Sequence, residues 1–177
     1  MLKLKLTPGS LPEGLSAWHP ASLVATWFGS GLMPFATGTW GSLATLPFAW
    51  VVHSLWGWQG LTAAAAFIFL SGWWAAAVIV ARGTMRDPGL IVIDEVAGQL
   101  LALAFAPQTL PGYALAFLLF RVADILKPFP ADWLDANVHG GLGVMLDDLV
   151  AGLYAGIALW LAMKIGFVSH VIGPSGR

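Results

Sequence analysis

The chain has 177 residues, of which 58% are hydrophobic and only 10% charged, with a formal net charge of −1. An ordinary soluble domain has roughly a quarter charged residues, so too few remain here to clothe a water-facing surface. The near-neutral balance leaves no electrostatic footprint for nucleic acid, and the lack of cysteine excludes disulfides and thiolate metal sites.

The first residues, MLKLKLTPGSLPEG, carry two lysines but no apolar stretch long enough for a cleavable signal peptide, and none is expected. Residues 1–41 are interrupted by Pro8, Pro12, Pro20 and Pro34 and read as an interfacial or cytoplasmic lead segment. Five apolar runs follow, at 42–58, 60–81, 90–106, 110–126 and 145–167. The second and fifth approach the ~20 residues of a spanning helix, and the others are short enough to be tilted or re-entrant. Ten tryptophans and 21 glycines fit a membrane setting. The expected fold is therefore all-α: one polytopic membrane domain over 1–177 with four to five membrane-embedded helices. Its bundle covers 42–167 and its tail 168–177.

Lys3 and Lys5 precede the first run, Arg82 and Arg86 separate the second from the third, and Arg121 and Lys127 end the fourth. The turns near Gln59 and Gln108 carry no basic residue, so the positive-inside rule places the N-terminus and both basic loops in the cytoplasm. Lys164 and Arg177 fit this topology less well. In it, Asp94 and Glu95 lie about one turn inside the cytoplasmic end of the third run, level with Arg121, Asp124, Asp147 and Asp148.

Asp94-Glu95 interrupts an apolar stretch. Two charges at mid-bilayer would cost about 5–7 kcal/mol, which the roughly 3–5 kcal/mol from the surrounding apolar residues does not offset. The pair must lie near a helix end, face protein or meet a cation; the plainer alternative is a solvated helix start. Asp94-Glu95-Val96-Ala97-Gly98 is partly echoed by Asp148-Leu149-Val150-Ala151-Gly152. In both, the aspartate and glycine share a helix face one turn apart, and the glycines invite close helix packing. This suggests that two helices meet there and present Asp94 and Asp148 to a shared cation. An acid set with no His or Cys suits Mg²⁺ or Mn²⁺, and Glu95, Asp124 and Asp147 are further candidates.

In FRVADILKPFP (120–130), Arg121, Asp124 and Lys127 share a face, as either a self-satisfied ionic stripe or a phosphate clamp. GTWGS (38–42) places Gly38, Thr39, Gly41 and Ser42 before a span, as either a plain cap or an anion site built on backbone N–H groups. HGGLG (139–143) reads as a flexible lead into Asp147, with His139 either incidental or a proton shuttle.

Together FGSGLMPFATGTWGS (28–42), DPGLIVIDEVAGQ (87–99), FRVADILKPFP (120–130) and NVHGGLGVMLDDLVAG (137–152) resemble the phosphatidylglycerophosphatase A family in sequence and order. Val96-Ala97 departs from it, since a bulkier residue is expected after Asp-Glu. The resemblance implies a Mg²⁺-dependent enzyme at the cytoplasmic face of a bacterial membrane. Its substrate would be phosphatidylglycerophosphate and its product phosphatidylglycerol. On this expectation Asp94, Glu95, Asp147 and Asp148 hold the metal, with Asp124 assisting. Arg121 and Lys127 would neutralise the phosphate, with Gly38, Thr39, Gly41, Ser42 and His139 lining it. Another lipid phosphate, such as phosphatidic acid, is the nearest alternative substrate. An ion-coupled transporter is the rival from another class, although such sites normally sit near the midplane.

Overall fold

The computed structural model describes residues 11–83 and 88–166. Lys3, Lys5, Arg86, Arg177 and the 168–177 tail lie outside the described residues. The described residues form helices joined by loops, with no strand among them. The helices are α1 (Pro20–Ala25), α2 (Thr37–Val80), α3 (Ile93–Leu103), α4 (Leu110–Leu126), α5 (Ala131–Asn137) and α6 (Gly140–Lys164), with a short 3-10 turn at Ser30–Leu32. Two of them, α2 and α6, are long and apolar enough to cross a membrane.

α2 is not one rod. Gly57 has φ 63 and ψ −158, outside the helical region and accessible to glycine at little cost. The packing shows that the chain folds back there. Gly41 lies against Val92 while Gly72 lies against Ile93, the next residue. A straight helix would hold residues 41 and 72 about 46 Å apart. The arms 37–56 and 58–80 thus form a hairpin, in keeping with the expected runs at 42–58 and 60–81. The helix begins five residues early, so Gly38, Thr39, Gly41 and Ser42 belong to its first turns rather than to a lead loop. Thr37 fixes that start by donating to the Gly89 carbonyl at 2.6 Å.

α3 is shorter than the expected 90–106 run. Its eleven residues span ~16 Å, about half the hydrocarbon thickness. Residues 91–100 are all buried, so this is a central helix wrapped by its neighbours rather than a lipid-facing span. Hydropathy cannot separate the two, because protein interior and lipid are both apolar. Before it, Val92 donates its N–H to the Ala25 carbonyl, which ties α1 to the entry of α3.

α6 begins at Gly140, earlier than the expected 145. HGGLG is therefore not a flexible lead. A side chain at Gly141 would strike the backbone of Trp73 and Ala77, and one at Gly143 would strike Val138. Only glycine allows α6 to start so close to α2. α4 occupies Leu110–Leu126, coinciding with the fourth run.

Candidate active site

The starts of α2, α3 and α6 and the end of α4 converge at one end of the bundle. On α3, Asp94 and Glu95 occupy the first turn, where the positive end of the helix dipole favours acids. Asp148 lies about 12 Å along α6 from Gly140, deep enough to face them. The approach depends on small residues. A side chain on Gly98 would meet the Asp148 carbonyl and Phe120, and one on Gly152 would meet the Gly98 backbone. The two Asp-x-x-x-Gly segments thus cross at their glycines, one turn from their aspartates.

The result is a cluster in which Asp94, Glu95 and Asp148 each offer an oxygen, all within 4.8 Å of one another. All three side chains are buried, with residue exposures of 3%, 2% and 3%. Three carboxylates so close and so dry cannot all remain ionised without neutralising partners. Both remaining positions in GTWGS that face the cluster are filled by small groups. Gly38 packs under the Glu95 carboxylate and the Arg121 guanidinium, and Ser42 Oγ donates to the Gly38 carbonyl at 2.9 Å.

The basic residues surround this cluster, each tied to an acid. Arg121 Nη1 pairs with Asp124 Oδ2 at 2.7 Å and reaches Ser42 Oγ at 3.4 Å. Its Nε is buried and has no hydrogen-bond partner among the described residues. Lys127 donates to the buried Asp147 and lies 3.4 Å from Asp135 on α5. Burial alone would lower the Lys127 pKa, but Asp147, with Asp148 and Asp135, outweighs it and holds the ammonium above its usual range. The group stays charged at neutral and mildly alkaline pH.

The expected site residues therefore divide. Asp94, Glu95 and Asp148 come together; Asp147 lies beside them but is engaged by Lys127, and Asp124 by Arg121. Gly38 and Ser42 join the site directly, Gly41 packs on Val92, and Thr39 is half-buried on the same turn. His139 is exposed at the N-cap of α6, with Nδ1 2.9 Å from the Asn137 carbonyl oxygen. It stands about two and a half turns from Asp148. Sequence reading missed Asp135 and Thr37. Neither stands in an apolar run, so no anomalous charge marks them.

The profile of the Phosphatidylglycerophosphatase A family matches residues 23–163. A protein of that name from Escherichia coli K12 is 38% identical over 146 residues, covering 81% of this chain and 83% of its own length. Another of that name from Haemophilus influenzae is 40% identical over 156 residues, covering 88% of this chain and 96% of its own. A relative from Bacteroides thetaiotaomicron, provisionally named a phosphatidylinositol-3-phosphatase, is 37% identical over 154 residues, covering 79% of this chain and 91% of its own. No solved structure matches the chain.

Proposed function

The chain belongs to the phosphatidylglycerophosphatase A family, and on that premise we propose that it hydrolyses phosphatidylglycerophosphate to phosphatidylglycerol and phosphate with Mg²⁺ at the carboxylate cluster. The observation that carries this reading is the meeting of Asp94, Glu95 and Asp148 from two helices, with oxygens within 4.8 Å. The donor set fits the ion. It is all oxygen and all acidic, and three carboxylate oxygens within 4.8 Å of one another could share one small, hard divalent ion. When bound, the ion supplies Lewis acidity toward phosphoryl oxygens.

The other roles belong to the chain's own side chains. Arg121 carries a buried Nε–H with no hydrogen-bond partner among the described residues, and a charge-assisted bond to a phosphate oxygen would satisfy it. Asp124 and Ser42 hold the guanidinium in place, and Asp147 does the same for Lys127. The nucleophile is water attacking phosphorus, with the lipid alkoxide leaving and taking up a proton. Arg82 follows the second arm of α2 and Arg121 and Lys127 lie at the end of α4, while the turns near Gln59 and Gln108 have no Lys or Arg. That asymmetry supports a multi-pass protein of the bacterial inner membrane with its site facing the cytoplasm. The phosphate of a membrane lipid then meets the site at its own depth, while the acyl chains stay in the bilayer.

The test is phosphate release by the purified protein from phosphatidylglycerophosphate, phosphatidic acid and phosphatidylinositol 3-phosphate, with Mg²⁺ and with excess chelator. The expected outcome is fastest release from phosphatidylglycerophosphate, lost in chelator. No release from that lipid, or an undiminished rate in chelator, overturns the reading. Faster release from phosphatidylinositol 3-phosphate would transfer the substrate assignment to the lipid named for the Bacteroides relative.

A further inference from the structure

Lys127 ends α4 in the left-handed conformation, with φ 45, and its ammonium meets acids from two other helices. Asp147 on α6 is buried and accepts a direct hydrogen bond. Asp135 on α5 lies 3.4 Å away, with its side chain 30% exposed. A lysine is a flexible stem ending in three donors. One acid fixes how far the ammonium reaches, and a second, from another direction, fixes where it points.

α5 is built to deliver that second acid. Ala131 is fully buried, and Asp135, one turn on, shares its inward face. Trp133 points outward at 52% exposure. Tyr154 Oη on α6 donates to the Phe129 carbonyl at 2.7 Å, which pins the entry of α5 to α6. The other acid of this helix does something different: exposed Asp132 accepts from the Trp133 backbone N–H at 2.8 Å. Two acids on one short helix thus have separate tasks, one local and one directed at the site.

We propose that Asp135 is a positioning residue for phosphate hydrolysis: by sharing the Lys127 ammonium with Asp147, it holds that charge beside Asp148 and its cluster. The inference rests on the reading of Lys127 as a phosphate-neutralising group. The two side chains of this pair are 23% and 30% exposed; a purely structural role for Asp135 would shift the unfolding midpoint and leave turnover untouched.

The experiment uses the full chain in mixed micelles with phosphatidylglycerophosphate and Mg²⁺. Asp135→Asn is expected to lower kcat/KM about tenfold, as misplacement of a positioned group does, with an unchanged unfolding midpoint. Asp135→Glu should recover part of the loss, and Asp132→Asn should match the wild type. Because both residues act through one ammonium, Asp135→Asn added to Lys127→Met should cost nothing beyond Lys127→Met alone. Lys127→Gln serves the same purpose should Lys127→Met fail to fold. Wild-type kcat/KM in Asp135→Asn, or losses that multiply in the double variant, overturn the inference while leaving the role of Lys127 standing. Wild-type kcat/KM in Lys127→Met removes that role, and the inference with it.

Discussion

The bundle carries a polar cluster at each end, and the two are satisfied in opposite ways. At the end beside the Gly57 turn, His53, Tyr113, Gln108 and Ser54 are neutral groups that find one another. Tyr113 Oη lies 3.0 Å from His53 Nδ1 and donates to the Ala49 carbonyl at 3.3 Å. Gln108 Nε2 donates to the Trp50 carbonyl at 2.9 Å, and the Trp50 and Tyr113 rings meet edge to face at 5.1 Å. Each of these contacts joins α2 to α4 or to the loop before it. At the other end, three acids from α3 and α6 converge on one another. The first arrangement lowers the energy of the fold by itself. The second gathers like charges beside cations that other acids already share, Arg121 with Asp124 and Lys127 with Asp147, which suits a site better than a fastening.

This contrast can be broken most sharply at Asp148. Asp148→Asn keeps the shape of the side chain and removes one of three crowded carboxylates. Turnover should fall at least about a hundredfold, since even groups that only support metal ligands cost 10–100-fold when lost. In chelator, the unfolding midpoint should stay level or rise, because repulsion is relieved. Loss of activity with lowered stability would mean that Asp148 serves the fold, like the residues at the opposite end. The smallest effect belongs to that end. Tyr113→Phe should cost about 1 kcal/mol in stability through its lost hydrogen bond and leave turnover within about twofold. A large kinetic loss would show that the two ends are coupled.

How legible this was in the sequence follows from the same physics. Asp94, Glu95 and Asp148 stand out because charge is costly in apolar surroundings, and Gly98 and Gly152 because small residues at that spacing bring helices together. The fourth run matches α4 because Pro111 stands in the first turn of the helix, where proline is tolerated, and Pro128 follows soon after its end. The length of α3 was not legible, because burial in protein and burial in lipid call for the same residues. The start of α6 was misread, since paired glycines signal either looseness or tight packing, and only the nearby Trp73 and Ala77 backbone decides which. Asp135 was missed because α5 has seven residues, too few for a periodic pattern, and its partner Lys127 comes from another helix.

The central claim is that Asp94, Glu95 and Asp148 together hold a divalent cation. Titration of the purified, metal-stripped protein with Mn²⁺, followed by electron paramagnetic resonance, tests it without reference to turnover. Saturable binding that Mg²⁺ displaces, and that is lost in Asp94→Asn and in Asp148→Asn, is the predicted result. Binding of equal strength in those variants, or none in the wild type, would contradict it.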